Sequence, residues 1–391
     1  MYPIIILKKD KEKSLIRKHP WVFSGAIVPP DTHIADGTVV YIANSSKNII
    51  ATGHYFNGNI SIKILAFEEK AIDNNFWTSA IQNAINVRQK IGLPNSDTNS
   101  YRLIHGEGDG LPGLIADIYD SVCVLQAHSI GMYLALPEIC KVIQATLPNI
   151  KHIYNKSKET LPEQYAATIE NHFLSGGASE VSIIEHGISF SISLLDGQKT
   201  GFFIDQRENR LLVKEYSKGK SVLNTFCYTG GFSLYALAGG AVDVHSVDVS
   251  AKALTALDEN ILLNAYSNIN HTSFKEDTLQ FLKRVEKPYD IVILDPPAYA
   301  KNIQKRHKAV IGYKNLNIQG FKAVAPGGLL FTFSCSQVID MELFTNTVTS
   351  AAIECGRSIR ILHQLSQPAD HPVNIFHPEG RYLKGLVLYV D

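Results

Sequence analysis

The segment Ser221-Val222-Leu223-Asn224-Thr225-Phe226-Cys227-Tyr228-Thr229-Gly230-Gly231-Phe232-Ser233-Leu234 predicts a buried strand, a tight glycine turn and the first turn of a helix. In an α/β sheet this arrangement points backbone N–H groups at a ligand beyond the carboxyl end of the strand. From about residue 186 onward the chain alternates strand and helix patterns, which is typical of a mostly parallel, doubly wound sheet. The predicted fold class of this half of the chain is therefore α/β and Rossmann-like.

Three further predicted strands of this sheet also end in polar residues. The second strand ends in Asp248, whose carboxylate can accept hydrogen bonds from both hydroxyls of a ribose. The third ends in Asp295-Pro296-Pro297, and the fourth ends in Ser334-Cys335-Ser336. Because the carboxyl ends of parallel strands meet at one edge of a sheet, these residues predict an active site at that edge.

The glycine turn distinguishes between two classes of nucleotide site. A dinucleotide site requires the spacing G-x-G-x-x-G after the first strand, because two phosphates approach the backbone closely. This chain has only Gly230-Gly231, flanked by Thr229 and Phe232. The turn therefore disfavours a dinucleotide ligand.

A family resemblance rests on several motifs taken in their order. They are residues 197–210 (Gly-Gln-Lys-Thr-Gly-Phe-Phe-Ile-Asp-Gln-Arg-Glu-Asn-Arg), the segment quoted above, Asp295-Pro296-Pro297, Ser334-Cys335-Ser336, His371-Pro372-Val373 and residues 381–386 (Arg-Tyr-Leu-Lys-Gly-Leu). With this order and spacing, the chain resembles class I S-adenosylmethionine-dependent methyltransferases. It is most similar to the bacterial 23S ribosomal RNA cytosine-5 methyltransferases that carry an N-terminal PUA domain.

The resemblance implies S-adenosylmethionine as the cofactor and assigns residues to its parts. Asp248 suits the ribose, Asp277 suits the adenine amino group, and backbone N–H groups from Tyr228 to Gly230 suit the amino-acid end. For Asp248, a role as the N-cap of the following helix is the alternative, although Ser250 can serve as that cap. The other residues expected to bind the cofactor are Phe226, Thr229, Phe203, Gln206, Arg207 and Asp295. By resemblance, Lys199, Phe203, Gln206 and Arg207 close over the cofactor or the target base.

Cys335 is the predicted nucleophile. Cytosine C5 reacts poorly until a thiolate adds to C6, and a base later removes the C5 proton. Taken alone, a cysteine after a strand is more often buried packing, but Cys335 stands beside the Asp-Pro-Pro motif and fits the family pattern. Cys227 is the rival on the same edge, in a turn where the resembling proteins use no nucleophile. The remaining cysteines, Cys123, Cys140 and Cys355, lie in apolar contexts and are predicted to be structural.

The motif Asp295-Pro296-Pro297 bears on which atom is methylated. Methyltransferases that act on exocyclic amino groups carry a similar motif, but in them an aromatic residue directly follows the second proline. Here Ala298 holds that position and Tyr299 comes one residue later, which favours carbon methylation. Asp295 is predicted to be catalytic, and both prolines are predicted to lie at the substrate base. Two alternatives remain: an N-methyltransferase in which Cys335 is not catalytic, and a non-catalytic RNA-binding protein with a degenerate methyltransferase domain.

Residues 1–70 predict short β-strands separated by Gly, Asn, Ser and Pro turns. This small barrel resembles a PUA domain, an RNA-binding module, and the resemblance includes the segment His19-Pro20-Trp21-Val22-Phe23-Ser24-Gly25. Aromatic residues beside basic ones suit base stacking and phosphate contact, so Trp21 and Lys18 are predicted to bind substrate. A place for Trp21 and Phe23 in the barrel core is equally open.

Residues 71–185 predict a central α+β domain whose motifs carry no chemistry, and residues 186–391 predict the methyltransferase domain. One helix is expected over 76–91, before Gly92, and another over 132–147. Residues 157–179 show no period and predict a mobile loop. In the resembling enzymes, a comparable central domain helps to shape the RNA cleft.

Composition indicates an ordinary globular protein of 391 residues, with 45% hydrophobic and 19% charged residues. A net charge of zero weighs against nucleic-acid binding, although basic runs at 8–18 and 301–308 supply local positive charge or else form a solvated surface. No apolar run could span a bilayer, no secretory signal follows Met1, and the five cysteines have no zinc spacing. A cytoplasmic protein without metal is expected. The resemblance implies 23S ribosomal RNA as the partner and suggests a homodimer.

Overall fold

The computed structural model describes residues 2–266 and 270–391, so Met1, from which the absence of a signal was inferred, lies outside the described residues. The chain forms two compact units. The first unit comprises Met1–Ile184, Ile192–Ile204 and Ala369–Gly380, and the second comprises Glu185–Ser191, Asp205–Pro368 and Arg381–Asp391. The division into domains at 1–70, 71–185 and 186–391 stays a prediction.

The first unit begins with a five-stranded sheet whose short strands are rich in the β-branched residues isoleucine and valine. In chain order its elements are β1 (Ile4–Ile6), α1 (Lys13–Ile16), β2 (Trp21–Phe23), β3 (Val39–Ala43), β4 (Ile49–Tyr55) and β5 (Ile60–Ala66). The strand order is β1-β3-β4-β5-β2, in which β1 is parallel to β3 and the other pairs are antiparallel. Val40, Ile42 and Ile62 are fully buried in its core. The predicted β-rich N-terminal region is therefore confirmed.

A second sheet and two long helices follow in the same unit. They are α2 (Asn74–Lys90), β6 (Ser100–His105), β7 (Leu114–Tyr119), β8 (Val122–Ala127), α3 (Ile130–Thr146), β9 (His152–Asn155), α4 (Glu163–Ala166) and β10 (His172–Ser175). The strand order is β10-β9-β8-β7-β6. Helices α2 and α3 confirm the two predicted helices, and Asp73 and Ser129 cap their N-termini. The prediction of a loop over 157–179 was wrong, because the segment contains α4 and also β10, which pairs with β9.

The second unit contains a seven-stranded sheet flanked by helices. Strands β11 (Glu180–Glu185) and β12 (Ile188–Ser193) precede it at the unit boundaries. The unit continues with α5 (Arg207–Tyr216), β13 (Ser221–Thr225), α6 (Gly231–Ala238), β14 (Asp243–Asp248), α7 (Ala251–Leu263), β15 (Asn270–Lys275), α8 (Thr278–Lys283), β16 (Tyr289–Leu294), α9 (Arg306–Ala323), β17 (Val324–Ser334), α10 (Met341–Cys355), β18 (Ile359–Leu365) and β19 (Lys384–Val390).

The order of this sheet is β15-β14-β13-β16-β17-β19-β18. The five strands from β15 to β17 are parallel, and β19 runs antiparallel to both of its neighbours. Leu223, Val292 and Phe331 are fully buried because helices cover the central strands. The predicted Rossmann-like fold class is confirmed.

Within residues 2–266 and 270–391, no helix combines the length and the apolar character that crossing a lipid bilayer requires.

Candidate active site

The carboxyl edge of the parallel sheet brings together the residues predicted from the strand ends. Thr225 lies opposite both Val247 and Leu294, and Leu294 lies opposite Thr332. The residues that follow these positions therefore share one edge of the sheet. They are Phe226 after β13, Asp248 at the end of β14, Asp277 after β15, Asp295-Pro296-Pro297 after β16 and Ser334-Cys335-Ser336 at the end of β17.

The glycine turn after β13 has an unusual backbone. Phe226, Tyr228 and Gly230 have φ angles of 53°, 49° and 83°, all in the left-handed region that disfavours residues with a Cβ atom. At Gly230 a Cβ atom would lie only 2.3 Å from Cδ1 of Leu257 on α7. The turn therefore requires glycine at this position, and it brings its backbone close to α7.

Asp248 is half-buried and helps to hold the glycine turn. The backbone N–H of Tyr228 donates to its Oδ2 and that of Ser250 donates to its Oδ1, both at 2.9 Å. A carboxylate has about four acceptor positions, so Asp248 keeps capacity for two hydroxyl donors. The N-cap of α7 is Ser250, whose Oγ accepts from the N–H of Ala253 at 3.2 Å. Ser250, as expected, supplies the cap and Asp248 does not.

Two N–H groups of the turn already have acceptors inside the protein. That of Tyr228 bonds to Asp248, and that of Gly230 donates to the carbonyl of Cys227 at 2.9 Å. We therefore do not assign these two N–H groups to the amino-acid end of a ligand. The carbonyl of the intervening Thr229 accepts from the side chain of Asn260 at 3.3 Å.

The other predicted cofactor residues lie in varied surroundings. Asp277 is exposed and caps α8, where its Oδ1 accepts from the N–H of Gln280 at 3.1 Å. Gln206 and Arg207 are buried in the second unit. Gln206 accepts from Asn209, and Arg207 donates to Glu208. The expected roles of Asp277, Gln206 and Arg207 stay predictions.

Lys199 and Phe203 belong to the first unit. The Nζ atom of Lys199 lies 4.4 Å from the centroid of the Phe203 ring, which is a cation–π distance. The side chain of Lys199 is exposed, and that of Phe203 is half-buried. Their predicted closure over the cofactor or the base stays a prediction.

Cys335 is half-buried, between two buried serines. Ser336 connects this turn to its neighbours, because its Oγ hydrogen-bonds to the hydroxyl of Tyr313 at 3.0 Å and accepts from the N–H of Ala300 at 3.4 Å. The rival Cys227 is 5% exposed, its Sγ faces the carbonyl of Tyr228, and burial raises its pKa well above the usual value for a thiol. The surroundings therefore favour Cys335 as the accessible thiol.

Tyr299, the aromatic residue that follows the Asp-Pro-Pro motif one position late, packs against α9. Its ring centroid lies 4.6 Å from that of Tyr313, and a Cβ atom at Gly312 would lie 2.8 Å from the Tyr299 ring. Burial raises the pKa of Tyr299 far above its ordinary value. This ring is therefore part of the packing against α9.

Lys384 lies in the motif at residues 381–386, but no role in the site was predicted for it from the sequence. It lies opposite Ser334 in the β17–β19 ladder, and its side chain is only 2% exposed. Its Nζ donates to the carbonyls of Ser336 at 2.7 Å and Tyr382 at 2.6 Å. The sequence signal that could have identified it is a lysine at the start of the apolar strand β19. A lysine in such a strand is expected to be buried only if it has hydrogen-bonding partners.

The aromatic residues of the N-terminal sheet divide into two groups. Trp21 is half-buried, and its indole N–H donates to Glu107 at 2.8 Å, whereas Phe23 is 44% exposed. Of the two alternatives left open for Phe23, the one that places it in the barrel core is therefore wrong. Lys18 is exposed, and its Nζ lies 4.8 Å from the centroid of the Phe67 ring. Substrate binding by Trp21 and Lys18 stays a prediction.

One group of potential metal ligands occurs among the described residues, and it lies in the first unit. Its members are His19, His377 and Glu379, whose ligand atoms lie within 4.8 Å of one another. Tetrahedral zinc would need ligand atoms about 3.4 Å apart. The positive charge of Lys63 also acts on His377, whose pKa is lowered mainly by burial. We assign no metal to this group.

The residues at the sheet edge fit S-adenosylmethionine. Asp248 has acceptor capacity for two ribose hydroxyls, and the glycine turn lacks the spacing that a pyrophosphate would need. The backbone of the turn is held in place by internal hydrogen bonds, so its shape is preformed. Asp248 would hold the ribose of the cofactor beside this turn, and the adenine contact of Asp277 stays a prediction.

Comparisons with known proteins agree that this site fits S-adenosylmethionine. Residues 102–378 match the family described as S-adenosylmethionine-dependent methyltransferase, and residues 5–67 match the PUA-like domain. The chain is 36% identical to ribosomal RNA large subunit methyltransferase I of Alteromonas mediterranea, with 99% of this chain and 98% of that protein covered. It is 37% identical to the protein of the same name from Tolumonas auensis, with 99% of each covered.

A solved structure shares the fold. A putative methyltransferase in complex with SAH superposes with a TM-score of 0.85 at 24% identity, covering 99% of this chain and 100% of that one. The family match covers well over half of the chain, and S-adenosylmethionine is its cofactor. The chain therefore belongs to the S-adenosylmethionine-dependent methyltransferases, in the family that includes ribosomal RNA large subunit methyltransferase I.

Proposed function

We propose that this protein methylates C5 of a cytosine in large-subunit ribosomal RNA, with Cys335 as the covalent nucleophile. The observation that carries the proposal is the position of Cys335. Its half-buried thiol follows β17 at the same sheet edge as Asp248 and the Asp-Pro-Pro motif. Three of the other four cysteines are buried, and the fourth, Cys355, lies at the end of α10.

The chemistry requires a thiolate at this position. The Cys335 sulfur forms a bond to C6 of the base, and the electron pair displaced from the C5–C6 double bond makes C5 nucleophilic. S-adenosylmethionine, when bound, supplies an electrophilic methyl group to that carbon. A base then removes the proton from C5, and the sulfur–C6 bond breaks to restore both the double bond and the thiolate.

Asp295 is the proposed partner of the base. It is half-buried directly after β16, the strand next to the one that precedes Cys335, where its carboxylate would accept from the N4 amino group of cytosine. Pro296 and Pro297 would stiffen this loop beside the base. Asp295, acting through water, is also the proposed acceptor of the C5 proton, since residues 295–300 of this loop contain no thiol that could take that role.

The RNA substrate is supported by the relatives' names and by local charge. Large-subunit ribosomal RNA is the substrate stated in those names. In this chain every residue from 301 to 308 is exposed, and four of them are lysine or arginine. Because this basic run directly follows the Asp-Pro-Pro loop, it would hold phosphates close to the reacting base. Trp21 and Lys18 are the proposed RNA contacts of the PUA-like domain.

The test is methyl transfer from labelled S-adenosylmethionine to ribosomal RNA that lacks the modification. Wild type, Cys335→Ala and the control Cys355→Ala would be compared, and the RNA digested to nucleosides. We expect labelled 5-methylcytidine from wild type and Cys355→Ala, and none from Cys335→Ala. Another labelled nucleoside, formed equally by wild type and Cys335→Ala, would refute both the target atom and the nucleophile.

Asp295→Ala tests the role of that residue separately. Of the two roles predicted for Asp295, this proposal takes contact with the base and not contact with the cofactor. We therefore expect turnover to be lost while the affinity for S-adenosylmethionine, measured by equilibrium dialysis, stays within about threefold of wild type. Parallel loss of cofactor binding would contradict the assignment.

Transfer to an exocyclic amino group is the second candidate, and one observation weighs against it. In that chemistry an aromatic ring after the two prolines stacks on the base. Here Tyr299 packs on Tyr313, and Ala298 offers no ring.

A further inference from the structure

Lys384 is a buried cation for which the proposed reaction has so far no use. It begins β19 and lies opposite Ser334, the residue before Cys335. Its side chain is 2% exposed. A buried ammonium group is costly unless partners compensate for its lost hydration. The structure therefore has to supply such partners, and their identity indicates what the lysine does.

Two of the partners are backbone carbonyls close to Cys335. The Nζ atom donates to the carbonyl of Ser336, the residue after the cysteine, at 2.7 Å. It also donates to the carbonyl of Tyr382 at 2.6 Å. The lysine thus connects the turn at the end of β17 with the segment that leads into β19. Cys335 lies between Ser334, which pairs with Lys384 in the ladder, and Ser336, whose carbonyl accepts from the lysine.

Electrostatics link the same ammonium group to the thiol. Burial lowers the pKa of Lys384 to about 8, and the charges of Cys335 and Asp340 oppose that shift. Burial, together with the charge of Cys335, raises the pKa of Tyr313, whose hydroxyl hydrogen-bonds to Ser336. The charged and titratable groups that act at this turn thus include the ammonium group of Lys384, the carboxylate of Asp340 and the hydroxyl of Tyr313.

We propose that Lys384 is a positioning residue for Cys335, which fixes the Ser334–Ser336 turn and favours the charged form of the Cys335 sulfur. This inference rests on the proposed function, in which that sulfur is the nucleophile. A thiolate beside a cation forms at lower pH than an isolated thiol, so more of the reactive form is present near neutral pH.

The test measures the thiol directly. The rate of Cys335 alkylation by iodoacetamide would be followed from pH 6 to 10 by peptide mass spectrometry. In wild type we expect a midpoint below the ordinary thiol value of about 8.5. Cys355 in the same chain is the internal control, because burial raises its pKa and its Sγ contacts the carbonyl of Ile318. A wild-type midpoint for Cys335 at or above 8.5 would overturn the proposal without any variant.

Two variants separate charge from hydrogen bonding. Lys384→Gln keeps donors for the carbonyls of Ser336 and Tyr382 but removes the charge, and Lys384→Arg keeps the charge. For Lys384→Gln we expect alkylation of Cys335 at pH 7 to slow about tenfold, which corresponds to one pKa unit. For Lys384→Arg we expect a profile close to wild type. An unchanged profile in a folded Lys384→Gln protein would mean that the lysine only holds the backbone.

Alkylation does not depend on methyl transfer, so the two proposals fail separately. If Lys384 controls the reactivity of Cys335 but the RNA product is not 5-methylcytidine, the proposed function is wrong and the electrostatic role stands. If 5-methylcytidine forms and Lys384→Gln leaves the alkylation profile unchanged, the inference about Lys384 is wrong and the proposed function stands.

Discussion

Gly230→Ala tests the account of the cofactor turn. Gly230 has a φ of 83°, and a Cβ atom there would lie 2.3 Å from Cδ1 and 2.7 Å from Cγ of Leu257. The left-handed backbone costs an L-residue about 1–2 kcal/mol. Forcing Leu257 aside adds about 1–3 kcal/mol, as in other overpacked cores. We therefore expect the second unit to lose about 2–5 kcal/mol of unfolding free energy.

The matched control is Gly219→Ala. Gly219 belongs to the same unit and has a φ of 71°, but no atom lies within 4 Å of the Cβ position. This variant has the backbone cost without the clash, so it should lose only about 1–2 kcal/mol. The difference between the two variants, about 1–3 kcal/mol, isolates the contact with Leu257.

The assay is unfolding in urea, monitored by hydrogen exchange in peptides from β13 and α6. Both tryptophans, Trp21 and Trp77, belong to the first unit, so exchange in these peptides, and not tryptophan fluorescence, is the signal that reports on the second unit. Equal losses of stability for Gly230→Ala and Gly219→Ala would refute the steric reasoning. The same Gly230→Ala protein should also bind S-adenosylmethionine more weakly, because the turn that would hold the cofactor is displaced.

Three further predictions use buried or strand-end charges. The carboxylate of Glu185 is 0% exposed and accepts hydrogen bonds from Arg210 at 2.6–2.8 Å, so Arg210→Met leaves a buried carboxylate without this cation. Calorimetry should show a loss of about 3–5 kcal/mol of unfolding free energy. The double variant Arg210→Met/Glu185→Leu should restore most of that loss. Burial, with a nearby lysine charge, lowers the pKa of His54 to about 4, so the unfolded chain takes up a proton between pH 6.5 and 4 that the folded chain does not. Stability should therefore fall by up to about 3 kcal/mol across that range, and His54→Phe should reduce the slope in urea titrations; an unchanged slope would contradict this. Asp248→Asn should weaken S-adenosylmethionine binding about tenfold in equilibrium dialysis, whereas Ser250→Ala should cost only about 1 kcal/mol of helix stability and leave binding nearly intact. Equal binding losses in these two variants would count against the ribose role of Asp248.

The sequence alone determined the α/β class and the edge of the sheet that carries the site. Both follow from local patterns, because apolar strands alternate with helices and each strand is followed by its own polar residue. Gly230 and the residues after β13, β14, β16 and β17 could therefore be identified without a structure. The cap of α7 was also predictable, since a serine at the start of a helix is a local signal.

Strands and contacts that depend on residues distant in the chain could not be predicted from local sequence patterns. Residues 157–179 show no period because β10 is ordered by its pairing with β9 and not by its own sequence. For Phe23 the sequence leaves a core position and a surface position equally open, and the sheet places it at the surface with 44% exposure. The acceptors of the Tyr228 and Gly230 N–H groups, Asp248 and the carbonyl of Cys227, are also not indicated by the local sequence.

Lys384 shows the same limit at the active edge. In the sequence it is a lysine 49 positions after Cys335, among apolar residues, with nothing local to connect the two. The antiparallel insertion of β19 beside β17 pairs Lys384 with Ser334 and directs its ammonium group to the carbonyl of Ser336. Periodicity and turn chemistry act over a few residues and are legible in the sequence, whereas the charge beside the thiol depends on strand order, which only the tertiary structure decides.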